Sequence, residues 1–252
     1  MRSANPVLDR LDDVRRTERQ VLGGGPVEAM TVDDVVLRTV GLLLLTGVTA
    51  AVAWVLVPQA VWISAALAGT ALAGLALALV ISLRGTTNPV LIAGYAVLQG
   101  LLLGVASRAF ELIHPGIVVQ AVVGTFGVFL GMALLYRARV VRATPRLARL
   151  VAGALIGIVA LGLVNLVAYL TTGRQGLAVY SLTAQVGWLP YVFSGVAILA
   201  GAFSFVLDFD QVERSVRAGL PRRYAWYCAF GLLAGLVFLY WQLLRLLGYL
   251  RR

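Results

Sequence analysis

The chain of 252 residues contains no lysine, a single cysteine and a single histidine, and charged residues make up only 13% of it. Each scarcity excludes something. Cys228 has no partner for an internal disulfide and supports no cysteine metal cluster. One histidine, His114, rules out a HExxH zinc site, and Ser194-Gly195 lacks the preceding glycine of a GxSG nucleophile motif, so no catalytic constellation is legible. With 60% hydrophobic residues against so few charges, a soluble fold could not cover its own surface. The formal charge of +10 would suit nucleic acid, but the arginines fall in short connections between apolar runs, where they set topology and meet anionic head groups. The absence of lysine itself carries no functional weight.

What remains is apolar length. Seven runs, roughly 36–57, 60–83, 89–109, 116–136, 147–170, 187–210 and 224–249, are each long enough to cross a bilayer as a helix. The expected fold is therefore an all-α integral membrane protein of seven transmembrane helices, residues 31–252, behind a polar N-terminal segment, residues 1–30. Within that segment Val7, Leu8, Leu11 and Val14 recur at helical spacing, which predicts a short amphipathic helix ending at Gly23-Gly24-Gly25-Pro26. No basic region precedes an apolar stretch there, so no cleavable signal peptide is expected. Thr31 and Asp34 form a capping-box pattern for the first span. The sixth run is expected to continue as an arm beyond the membrane, because Asp210/Arg214 and Glu213/Arg217 are i,i+4 pairs and the first stop is Gly219 before Pro221.

Arginine placement orients the chain. With the N-terminus cytoplasmic, the inner connections hold Arg84, the Arg137 to Arg149 group, and Arg214, Arg217, Arg222 and Arg223, while Arg108, Arg174 and the C-terminal pair lie outside. Gly100/Gly104 and Gly153/Gly157 have the small-xxx-small spacing of helix seams, and Gln120, Gly124, Gly127 and Gly131 line one face of span four.

Polar groups inside spans need explanation, since each is costly in hydrocarbon. Asp208 and Asp210 are i,i+2 and so point to nearly opposite faces of span six. Asp208 shares a stripe with Ser194, Gly201, Ser204, Gln211 and Ser215, which suits the bundle interior. Asp210 shares one with Phe203, Val206, Leu207, Arg214 and Arg217, which suits lipid and head groups. Asp208 is thus the candidate pH-sensing or gating group, with the inner arginine cluster as its partner. Asp210 is a second carboxylate that a pair with Arg214 would satisfy. Gln99, Asn165, Gln211 and Gln242 are candidates for a polar pathway or interhelical packing. Glu111 is close enough to Arg108 for an interfacial ion pair, and His114 beside Pro115-Gly116 reads as a turn residue.

Long stretches carry a resemblance: Gly104 to Glu111, HPGIVVQAVVGTFGVF over 114–129, LDFDQVERSVRAGLPRRYAWYCAFGL over 207–232, and RSANPVLDRL over 2–11. Together they resemble the Bax inhibitor-1/YccA family of transmembrane Bax-inhibitor-motif proteins, in particular its actinobacterial branch. The resemblance implies a bundle with the last helix surrounded by the others. In some members it implies a pH-sensitive calcium leak built on a carboxylate of helix six paired with a second on helix seven, and in others binding to a membrane-bound protease. The first carboxylate falls on Asp208. The second has no counterpart: folding the last hairpin about Gly219-Leu220 sets Leu232 to Ala234 opposite Asp208, and the family's closing acidic position falls on Gln242. The family's Glu before Gly in span three stands here as Gln99. One carboxylate with neutral amides makes at most a weak calcium site at Asp208, so no resident cofactor is expected and calcium enters only as a permeant or weakly bound ion. The expected function is a pH-sensitive, low-flux cation or proton leak in the cytoplasmic membrane; the alternative is a non-conducting regulator that binds another membrane protein. The bilayer is the expected partner, and nucleic acid is not.

Overall fold

The computed structural model describes residues 28–56, 63–172 and 188–251. Among the described residues seven helices follow one another: α1 Val32–Leu56, α2 Ile63–Arg84, α3 Pro89–Ile113, α4 Ile117–Arg137, α5 Pro145–Thr172, α6 Leu189–Arg217 and α7 Tyr224–Leu250. Six are long and apolar enough to cross a membrane, by length and composition. The other, α2, has 22 residues, with an apolar described stretch over Gly69–Arg84. The amphipathic helix expected near Val7 to Val14 lies outside the described residues.

Local chemistry places most helix ends. Thr31 and Asp34 exchange capping-box hydrogen bonds, Asp34 N donating to Thr31 Oγ1 and Thr31 N to Asp34 Oδ2, both at 3.2 Å. Asn88 caps α3 by accepting from Val90 N at 2.9 Å, with Pro89 following it. Glu111 does not pair with Arg108. Its carboxylate accepts from Gly116 N and Val118 N and so caps α4, while Arg108 Nη1 donates to the Trp54 carbonyl at 2.8 Å. The orphan amides at the start of α4 compete better for a carboxylate than a guanidinium already held elsewhere. The arm of α6 runs to Arg217, as its ion pairs and stop signal require, and ends at Gly219 with φ 62°.

The last helix is the centre of the bundle. It packs broadly on α1, α3, α4 and α6. It also shares an apolar cluster with Ile81 of α2 and presents Phe238 to the cluster around Ile158 of α5. Of the expected seams only one is close. A β-carbon on Gly100 would lie 2.5 Å from the Thr46 carbonyl oxygen, and one on Gly104 would overlap that of Ala50, so α1 and α3 touch backbone to backbone. At Gly153, Gly157, Gly127 and Gly131 no described atom lies within 4 Å. On α4 the glycine face does pack at one end, where a β-carbon on Gly124 would lie 3.4 Å from Leu243 Cδ1 of α7, while no described atom closes on the rest of that face or on the glycine pair of α5.

Residues 28–30 are tied to the membrane domain rather than separate from it. Met30 N donates to Leu220 O at 2.8 Å and Arg222 N to Glu28 O at 2.9 Å, which makes a short antiparallel clip against the α6–α7 turn. Arg222 locks it, with Nε on Asp34 at 2.7 Å and Nη1 on Glu28 at 2.7 Å. These bonds, that to Asp34 first, raise the Arg222 pKa above its ordinary value.

Candidate functional site

A 29-residue α6 with no glycine or proline after Gly201 keeps a regular helical period through its C-terminal third, so Asp208 and Asp210 stand on different faces. Asp208 lines a cavity of about 300 Å³ between α2, α6 and α7. Ser82 comes from α2, Gln211 from the next turn of α6, and Tyr227, Cys228, Gly231 and Ala234 from α7. Among the described residues Asp208 is the single carboxylate in that lining. Gln211 is exposed, so it sits at the rim of the cavity on the side of the α6–α7 turn.

Of the expected Leu232 to Ala234, Ala234 does face the Asp208 cavity, and Gly231 rather than Leu232 joins it. Leu232, 6% exposed, points into the apolar cluster with Phe205 and Leu236. The α6–α7 turn sets this register by spending Pro221 to Arg223 before α7 begins.

The expected partner of Asp208 is also displaced. No arginine lies within salt-bridge distance of it among the described residues. The arginines gather on the other side of α6, where Asp210 pairs with Arg214 at 2.5 Å and Glu213 pairs with Arg217 and accepts from Tyr136 Oη at 2.6 Å. That side faces lipid only in its first half, through exposed Val192, Val196 and Leu199. Nearer Asp210 it is covered: Val206 is fully buried, Phe209 packs on the rings of Phe129 and Tyr136, and Phe203 and Val141 join the same apolar cluster. The connection after α4 folds across the stripe that was expected to meet lipid.

The remaining polar candidates do not form one path. Gln99 of α3 is buried against Gly74 of α2, whose added β-carbon would lie 2.7 Å from Gln99 Nε2. Gly74, Ala78 and Ser82 form one stripe of α2, so Gln99 stands one turn beyond the Asp208 cavity. Asn165 is buried on α5. Gln242 lies at the far end of α7 and accepts from Arg245 Nη2 at 3.0 Å.

Arg245 was missed by sequence reasoning. It is only 4% exposed, with its guanidinium 5.3 Å from the Phe193 ring centroid. A lone arginine in Leu243-Leu244-Arg245-Leu246-Leu247 was the available signal, because a charge within an apolar run is seldom there without a role. It stands about 21 Å along α7 from Gly231 at a 1.5 Å rise.

Among the described residues, the cavity lining offers one carboxylate, Asp208, one amide, Gln211, the hydroxyls of Ser82 and Tyr227, and the Cys228 thiol. Calcium takes six to eight oxygen ligands, about one of them here a charged one, so this donor set does not fit a resident calcium site. Among the described residues no group of three or more His, Cys, Asp or Glu is placed to hold a metal ion. A single carboxylate with polar neighbours can instead exchange a proton or be visited by a passing cation.

A family model described as Bax inhibitor 1 like matches residues 5–252. No curated protein matches the chain.

Proposed function

Since the chain belongs to the Bax inhibitor 1 like family, we propose that this multi-pass membrane protein provides a regulated, low-flux pathway for protons or small cations, with Asp208 as its titrating element. The observation that carries this reading is the placement of Asp208 in a polar-rimmed cavity at one end of an apolar bundle. A carboxylate is costly there unless it does something, and the ionised and protonated forms hold the surrounding helices differently. Beyond the cavity, Leu233, Leu236 and Leu239 of α7 are buried. Flux therefore requires movement of α6 or α2 against α7, which is consistent with a leak and not with an open channel.

The reading is non-enzymatic, and calcium enters it as cargo. We place the protein in the cytoplasmic membrane with the N-terminus inside, on the arginine asymmetry. Reporter fusions at Arg142 and Arg252 are expected to report opposite sides. The functional test is flux from dye-loaded liposomes across pH 6–8, about the range where a carboxylate perturbed by its surroundings can titrate. Asp208→Asn is expected to flatten the pH response and Asp210→Asn to leave it intact. Folded wild-type protein with no flux at any pH would overturn the reading in favour of a non-conducting regulator of another membrane protein.

A further inference from the structure

The groove on the opposite side of α6 from Asp208 has no part in the proposed pathway. It lies between the end of α4, the connection that follows, and the arm of α6, and has a volume of about 620 Å³. Arg137, Arg139, Arg142 and Arg217 line it against two carboxylates, Asp210 and Glu213. Both carboxylates are already engaged, Asp210 by Arg214 and Glu213 by Arg217 and Tyr136. Among the described residues, Arg137, Arg139 and Arg142 have no carboxylate within salt-bridge distance.

The backbone at Arg139 is unusual. Helices α4 and α6 end in the same motif: Arg139 N donates to Tyr136 O and Val140 N to Leu135 O, as Gly219 N donates to Val216 O and Leu220 N to Ser215 O. The motif needs a left-handed residue, which is Gly219 with φ 62° in one case and Arg139 with φ 56° in the other. Arginine is a poor residue for that conformation and glycine a good one. Arg139 is the single non-glycine with positive φ among the described residues, and it sits in the groove. Its side chain is kept at a place where the fold alone favours none.

We propose that this groove binds the phosphate of an anionic phospholipid head group. Guanidinium forks match phosphate oxygens in pairs, and three of them line the groove outside the ion pairs that engage its two carboxylates. The groove stands at the end of a 21-residue apolar helix, at head-group depth. Leu134 and Val140 flank the arginines at 68% and 69% exposure, which offers acyl-chain contact that a free phosphate would not use. The site is independent of the ion-pathway reading and is tested without flux.

The purified full chain in nonionic detergent is titrated with dioctanoyl phosphatidylglycerol, dioctanoyl phosphatidylcholine or inorganic phosphate, and thermal unfolding is followed. Phosphatidylglycerol is expected to raise Tm and the other two are not. Arg137→Gln/Arg142→Gln is expected to raise the half-saturating phosphatidylglycerol concentration by about tenfold, in line with the loss of two charge-assisted contacts. Arg146→Gln/Arg149→Gln, which removes equal charge from the start of α5 outside the groove, is expected to change it little. Arg139→Gly is expected to raise Tm in the absence of lipid yet weaken the phosphatidylglycerol response, a combination that loss of folding cannot produce. Equal stabilisation by phosphatidylcholine, by inorganic phosphate alone, or equal weakening by the two double variants would each overturn the proposal.

Discussion

A β-carbon placed on Gly231 would stand 3.9 Å from Asp208 Oδ1, so these two residues face each other across the α6–α7 hairpin. The neighbouring cavity position is Ala234. Ala234→Asp is therefore expected to supply a second carboxylate and strengthen calcium binding, read by titration calorimetry on purified protein. Leu232→Asp is expected to bury an unpaired carboxylate in apolar packing and lower stability by about 3 kcal/mol without creating a site. Tighter calcium binding in Leu232→Asp than in Ala234→Asp would show the hairpin register to be wrong.

Contact between α1 and α3 gives a second expectation. A β-carbon at Gly104 overlaps the Ala50 carbonyl, whereas one at Gly153 meets no described atom within 4 Å. Gly104→Ala is expected to destabilise by roughly 2 kcal/mol or more through forced helix separation. Gly153→Ala is expected to be neutral or stabilising by up to about 1 kcal/mol. Unfolding in mixed detergent measures both, and equal costs would contradict the packing described.

Ser107 and Tyr240 share a buried hydrogen bond of 2.6 Å between α3 and α7. Tyr240→Phe leaves the serine hydroxyl without that partner and is expected to cost about 1 kcal/mol. The double-mutant cycle with Ser107→Ala is expected to give a coupling of about 0.6 kcal/mol, the usual value within membranes. Strict additivity would mean that the bond contributes nothing.

Arg222 holds residues 28–30 against the α6–α7 turn through Asp34 and Glu28. Exposed ion pairs contribute little to global stability, about 1 kcal/mol or less. Arg222→Gln is therefore expected to leave Tm nearly unchanged while accelerating amide exchange at Met30 and Arg222, whose N–H groups make the clip. Unchanged exchange at both amides would show that the backbone pairing persists without the side chain.

Much of this molecule was legible in short segments. Seven apolar runs dictated seven helices, because backbone groups in hydrocarbon have to be satisfied within each span. Thr31 with Asp34, Asn88 with Pro89, and the two i,i+4 pairs before Gly219 named helix ends and the α6 arm, since capping and helical pairing act across three or four residues. The separation of Asp208 from Asp210 followed from helical angle alone.

Tertiary structure decided how the helices turn toward one another. It selected Gly100 and Gly104 as a seam over Gly153 and Gly157, redirected Glu111 from Arg108 to the start of α4, and set Gly231 and Ala234 rather than Leu232 beside Asp208. It also buried Arg245 against Phe193 and gathered three arginines around a left-handed Arg139. None of these is encoded by hydropathy. In a bilayer, lipid tails and helix interiors are equally apolar, so the azimuth of each span is fixed by side-chain packing and interhelical bonds between segments far apart in the chain.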